Sequence, residues 1–251
     1  MHPVLWAAVI TGVLSVAFWF SLFHHMAGPH RKLAWVAILG LPLSLVVNLG
    51  MKGPVYRGVA SFAGISPEEA LASAPVWFLA FRLLLSPLAE EAVKVAPVAL
   101  PGLRRRLVGQ GAALWLGVYL GVGFGLGEIG YVGWRLSASA ALAEYPVWMF
   151  TGFLAERLAG TCAHGIMTGV LLVLAVKGRY GWIAGFLSAV GLHTLANLGA
   201  LLAQVGVVTL GQAQIWFYGV FVLMLLLFLR FNRQSVAASP GPAQVVFRRP
   251  G

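Results

Sequence analysis

Long apolar stretches alternate with short polar ones along this chain. The apolar stretches have the length of a bilayer-spanning helix, roughly 20 residues. The pattern predicts seven spans, at about 4–23, 33–51, 75–100, 111–134, 158–176, 182–204 and 214–231. The first reads as a helix rather than a cleaved leader. No basic residue precedes it, and His24-His25-Met26 after it is no small-residue cleavage site. Two connections have size. Residues 52–74 contain Ser66-Pro67-Glu68-Glu69, with Ser at the cap, Pro in the first turn and Glu three positions after the cap. This predicts a short surface helix leading into the third span. The 135–157 connection, with Leu136 to Leu142 and then Glu144-Tyr145-Pro146, predicts a second interfacial helix. The expected fold is all-α, a polytopic transmembrane helical bundle forming one domain over residues 1–232. A disordered basic tail is expected over 233–251, which holds Pro240, Pro242 and Pro250. No internal repeat is visible.

Composition excludes a soluble globular protein. The 251 residues are 60% hydrophobic and 10% charged, with mean hydropathy +0.88, whereas soluble domains carry about a quarter charged residues. The 17 Lys+Arg and 7 Asp+Glu give +10. Sorting the cations by connection explains this excess. On one side fall Arg31, Lys32, Arg104, Arg105, Arg106, Lys177, Arg179, Arg230, Arg233, Arg248 and Arg249; on the other fall only Lys52, Arg57, Arg135 and Arg157. The positive-inside rule then predicts an outside N-terminus and a cytoplasmic C-terminus. The +10 reports orientation and attraction to anionic lipid, not a nucleic-acid partner. A single cysteine, Cys162, excludes an intrachain disulfide and a Cys-only metal cluster, and reads as a small buried filler.

Every acid is glutamate. Glu68, Glu69, Glu144 and Glu156 fall outside the spans, whereas Glu90, Glu91 and Glu128 fall within them. An acid or base at mid-helix costs about 2.5–3.5 kcal/mol on insertion scales. The spans nevertheless hold Arg82, Glu90, Glu91, Lys94, Glu128, His164 and His193. Such a set marks a functional site by default, against the plainer alternative of a structural ion-pair network.

Glu90 and Lys94 are spaced i,i+4, and Glu91 lies i,i+3 from Lys94, turned about 100° from Glu90. Lys94 can neutralise one carboxylate while the other addresses a neighbouring helix. Pro87, just upstream, frees a carbonyl and predicts a kink. Gly117, Gly121 and Gly125 recur every four residues on one face, which Glu128 joins. They predict a close-packing seam. Thr161 and Thr168 are placed to flank His164, with Gly165 and Gly169 as a further close-packing pair. His193 and Asn197 share a face of the sixth span. Counted from the basic anchors, Glu90, His164 and His193 lie at one depth, about 20 Å in. Glu128 is expected a turn or more toward the outside.

Glu90-Glu91-x-x-Lys94, Phe124-x-x-x-Glu128, His164 with Gly169, and His193-x-x-x-Asn197, in this order on separate helices, resemble the PrsW family of intramembrane proteases. That family is related to the CAAX prenyl proteases and bacteriocin-processing enzymes. The likeness covers residues 90–197. It departs at Ile129, where the family commonly has asparagine, and at Ala196, where tryptophan is usual; both bear on pocket shape. The resemblance implies hydrolysis of a peptide bond in a membrane-anchored protein or peptide, in a prokaryotic-type cytoplasmic membrane. It implies that Glu90 activates water, that Glu128 helps hold that water or a metal, and that His193 and Asn197 stabilise the oxyanion. Glu91 and Lys94 would orient Glu90. Zinc is a possible cofactor, with Glu128, His164 and His193 as its ligand set; a metal-free glutamate mechanism uses the same residues. Substrate identity, oligomeric state and cleavage side are left open. The competing readings are a non-catalytic scaffold of the same superfamily, similar to the gamma-secretase scaffold subunit, a proton-coupled transporter or channel, and a haem or quinone protein using His164 and His193 as axial ligands.

Overall fold

The computed structural model describes residues 1–65 and 74–237, and no strand occurs among them. The long helical runs are α1 (Pro3–Met26), α2 (Gly28–Gly40), α3 (Leu43–Phe62), α4 (Val76–Val95), α5 (Gly109–Leu136), α6 (Val147–Ala175), α7 (Gly181–Gln204) and α8 (Leu210–Ala237). The helix start expected at Ser66-Pro67-Glu68-Glu69 lies outside the described residues.

Five of these runs are long and apolar enough to cross a membrane, or six when α2 and α3, bent by 41°, count as one span. Seven were expected. The difference is α4, which is 20 residues long but carries Arg82, Glu90, Glu91 and Lys94. The charges that make it interesting also remove it from the apolar set. The second expected span also changes shape. It breaks after Gly40, and its later part runs through a wide-turned π-helical stretch, Val46–Lys52, directly into the helix Gly53–Phe62. Lys52 and Arg57 are therefore on a helix, not in a loop. The connection at 135–157 is not one interfacial helix. It holds two short 3₁₀ turns, Ala140–Glu144 and Val147–Phe150, the second of which opens α6. At the other end, α8 continues to Ala237, so residues 233–237 extend a helix where a tail was expected. Pro87 sits inside the unbroken run of α4.

α5 and α6 form the buried axis of the bundle, while α1, α7 and α8 present most of their apolar surface outward. The pairing of α5 with α6 follows from the glycines. A Cβ at Gly117 would lie 2.4 Å from Thr168 O, and one at Gly121 would lie 2.1 Å from His164 O. A Cβ at Gly125 would come within 2.7 Å of the Thr161 Cα. Only residues without a side chain let the two backbones meet this closely. On its opposite face α5 does the same against the end of α2 and the break after it, where Cβ atoms at Gly123 and Gly127 would fall 2.0 and 2.1 Å from Ala37 O and Leu41 O.

Toward Arg104–Arg106 the bundle holds an aromatic core. There Phe23, Trp115 and Phe228 pack edge to face, with ring centroids 5.5 to 6.0 Å apart. Cys162 is buried among these core residues, as expected of a filler. The opposite half is more open. Turns at Gly178 (φ +135°) and Gly206 (φ +76°), conformations open mainly to glycine, fold α6, α7 and α8 back on one another. A cavity is left between them.

Candidate functional site: a buried cluster of carboxylates, histidines and cations

The cavity measures about 740 Å³, within the range of small-molecule and cofactor sites. Its lining draws on α3 to α8, with Lys52, Glu90, Glu128, His164, His193 and Asn197 among its walls. The structure thus brings together all of the residues singled out from the sequence except Arg82. Arg82 points elsewhere, to Gln204 Oε1 at 3.0 Å and over the Tyr56 ring.

α4 carries two of the three acids. Glu90, Glu91 and Lys94 are all buried on it. Lys94 selects Glu91 and not Glu90, with Nζ to Oε1 at 2.6 Å and both side chains fully enclosed. The Lys94 ammonium also sits 4.7 Å from the Phe124 ring centroid, a cation–π contact, and 2.7 Å from His164 Nδ1. Phe124 in turn meets the His164 ring edge-on at 5.2 Å. The phenylalanine four residues before Glu128 therefore floors the Lys94–His164 contact.

These contacts fix the histidine rings. An ammonium only donates, so His164 Nδ1 accepts from Lys94. Its Nε2 then carries hydrogen and donates to Glu128 Oε2 at 3.0 Å. His193 is oriented oppositely. A carboxylate only accepts, so His193 Nδ1 donates to Glu91 Oε1 at 2.7 Å. In the neutral ring Nε2 keeps a free lone pair, and it lies 3.8 Å from Glu90 Oε2. The two imidazoles meet at a T-shaped angle, with centroids 5.3 Å apart. The flanking threonines do not reach the imidazole. Thr161 and Thr168 each donate to the carbonyl one turn back, of Arg157 and His164 respectively.

Glu90 is held by residues that were not picked out from the sequence. Its Oε1 accepts from Ser86 Oγ at 2.6 Å and is ion-paired with Lys52. Its Oε2 is buried with no hydrogen-bond partner. Glu128 pairs with Arg157 at 2.9 Å, so Arg157, expected in an exterior loop, is a side chain of α6 that faces the cluster. Signals for these residues were present. Ser86 precedes Glu90 by one helical turn. Ser44, Asn48 and Lys52 recur every four residues in an otherwise apolar span, and Ser44 and Asn48 are buried. Glu128 lies within hydrogen-bond reach of His164, so its expected offset toward the outside does not separate it from the cluster. Asn197 lines the cavity beyond His193, and no hydrogen bond ties it to the cluster among the described residues.

Three acids thus meet three cations: Glu90 with Lys52, Glu91 with Lys94, and Glu128 with Arg157. This bears on the metal. The ligand atoms that converge, all within 4.8 Å of one another, belong to Glu90, His164 and His193. Glu90 stands where Glu128 was expected. Both ring nitrogens of His164 are already engaged, by Lys94 and Glu128. With the carboxylates already matched by cations, a divalent ion would bring uncompensated charge into a buried site, at high cost. As these pairs stand, an ion at that trio would have to displace Glu128 or Lys94 from His164.

No family model, curated protein or solved structure matches the chain. The functional reading rests on the site itself.

Proposed function

We propose that this membrane-embedded protein is an intramembrane endopeptidase, cleaving a peptide bond in a membrane-anchored protein or peptide with Glu90 as the base that activates water. The observation that carries the reading is Glu90 itself. One carboxylate oxygen is anchored by Ser86 and Lys52, and the other is buried beside a cavity with no partner. An unsatisfied buried polar atom costs about 1–3 kcal/mol, more when charged. A carboxylate kept in that state suits an atom that must take a proton.

In this reading a water lies between Glu90 Oε2 and the free Nε2 of His193. Its oxygen attacks the peptide carbonyl carbon while its proton passes to Glu90. The carbonyl π pair moves to oxygen, and Asn197 offers an amide N–H from the same cavity. When the C–N bond breaks, Glu90 returns the proton to the leaving nitrogen. Glu91 and Lys94 hold the two histidine rings, and Arg157 and His164 hold Glu128. His193 therefore acts as a holder of water and not, in its neutral form, as a donor to the oxyanion. For topology, we propose that α4 crosses the bilayer as the seventh span, with the N-terminus outside and the C-terminus cytoplasmic.

The test is cleavage of a panel of single-span substrates by the purified protein and its Glu90→Gln variant. Cleavage by the wild type alone, undiminished by a chelator, is the expected result. Retained activity in Glu90→Gln, or activity that chelation abolishes and zinc restores, would overturn this mechanism. A second reading, proton movement across the membrane, draws on the unbroken series Arg157–Glu128–His164–Lys94–Glu91–His193. Liposomes loaded with a pH-sensitive dye separate the two, because a protease passes no proton current.

A further inference from the structure

We propose that Lys52 is a catalytic residue of this site: its ammonium binds the oxyanion that forms on the scissile carbonyl. The proposal rests on the reading of Glu90 as the water-activating base. Lys52 lies on α3, outside the helices that carry the four motifs, at the end of the π-helical stretch Val46–Lys52. That wide turn is tied to the turn before it, with Asn48 Nδ2 donating to Ser44 O at 2.7 Å. It delivers Lys52 to the cavity wall beside Glu90. π-helical turns are frequent at functional sites because they re-aim a side chain without ending the helix.

The ammonium has three N–H groups. One goes to Ser86 Oγ at 2.9 Å and one to Glu90 Oε1. The third is uncommitted. Lys52 is also the less enclosed of the two cluster lysines: its side chain keeps 18% of its surface, whereas Lys94 keeps none. Lys94 is spent on Glu91 and His164. Lys52 is spent in part on the oxygen of Glu90 that does not accept the proton, which leaves it a short distance from where the new charge must form.

Atoms and charge balance in this step. Water loses a proton to Glu90 Oε2 as its oxygen bonds the carbonyl carbon, and the π pair settles on the carbonyl oxygen. That oxygen's negative charge forms as Glu90 becomes neutral, so Lys52 exchanges a carboxylate partner for an oxyanion partner with no change in net charge. A low-dielectric site favours such an exchange over creating or burying a new charge. When the C–N bond breaks and the proton leaves Glu90 for the amine, the original pair is restored.

The experiment measures kcat and KM on a substrate that the wild type cleaves and Glu90→Gln does not. Lys52→Gln should lose about 100- to 1000-fold in kcat, the effect of losing an oxyanion donor, with KM within a few-fold of wild type. Ser86→Ala removes the other anchor of Glu90 and keeps the cation, so it should lose less than tenfold. Lys52→Cys, inactive as made, should recover activity after alkylation with bromoethylamine, which rebuilds an ammonium of nearly the same reach; Cys162 is buried and stays out of that reaction. Recovery also shows that the variant folds. If Lys52→Gln keeps kcat within threefold, or if Ser86→Ala falls as far and alkylation restores nothing, Lys52 is not the oxyanion group, and the role of Glu90 stands. A wild type that cleaves no substrate overturns both.

Discussion

Gly121→Ala tests whether the approach of α5 to α6 sets the site. A Cβ built at Gly121 would stand 2.1 Å from His164 O, against about 3.4 Å for ordinary contact. The obstacle is backbone, so no side-chain rotation relieves it. One helix must move away by up to about 1.3 Å, the difference between those two distances. The carbonyl that must move belongs to His164, whose ring is fixed by bonds of 2.7 and 3.0 Å to Lys94 and Glu128. A shift of that size breaks one or both. Overpacking of this kind costs about 1–3 kcal/mol, which lowers the melting temperature of a chain this long by about 2–12 °C. Gly191→Ala is the matched control, because a Cβ there meets nothing within 4 Å. It carries the same helix-propensity gain, up to about 1 kcal/mol, with no clash. The assay is thermal unfolding of both variants in one detergent, followed by the cleavage assay at a temperature where both are folded. Gly121→Ala is expected to melt below wild type and lose activity, and Gly191→Ala to melt at or above it with activity intact. If the two melt within 1 °C of each other, the glycine seam does not fix the site.

The Glu91–Lys94 pair gives a second test. Glu91→Gln leaves a fully enclosed ammonium without its carboxylate, at a cost of about 3–5 kcal/mol. The double variant Glu91→Gln, Lys94→Met should recover most of that stability, read as a double-mutant cycle by thermal unfolding. Topology and access can be read together. Gly152 lines the cavity and has open space around it, so Gly152→Cys should react with a membrane-impermeant thiol reagent added outside. Arg105→Cys should react only after the membrane is opened, and the reverse pattern would invert the orientation.

Much of the arrangement was legible because membranes penalise charge. Glu90, Glu91, Lys94, Glu128, His164 and His193 were conspicuous against an apolar background, and every one of them reaches the cluster. The glycine seam was legible for a related reason: small residues at every fourth position have few uses inside an apolar helix besides close approach. What escaped were residues whose polarity was explained too readily by position. Lys52 and Arg157 stand near the ends of apolar runs, where cations ordinarily meet water, and so they were counted among the exterior charges. Helix continuation overrides that reading. α3 runs past Lys52 without a loop, and α6 begins before Arg157, so both side chains turn inward. The pairing within α4 was open for a different reason. Spacings of three and four residues are both compatible with a bond to Lys94, and only the neighbouring helices decide. His164 draws the ammonium to the side of Glu91, and Lys52 takes Glu90.

This division of cations has a chemical consequence. Glu91 and Glu128 are each tied to a histidine as well as to a cation. Neutralising either would weaken a contact to a cation and one to a histidine at once, so each suits the holding of the imidazole beside it. Glu90 differs. Its partners are a hydroxyl and the more exposed of the two cluster lysines, both on one oxygen, and its other oxygen is bound to nothing. Glu91 Oε2 also lacks a hydrogen-bond partner, but Glu91 does not line the cavity, whereas Glu90 does, and Glu90 makes no hydrogen bond to a histidine that a proton would break. The sequence places Glu90 and Glu91 side by side with no means of telling them apart. It is the surroundings that tell them apart: Lys94 and His193 hold one carboxylate, while Lys52 and Ser86 hold the other at the cavity wall.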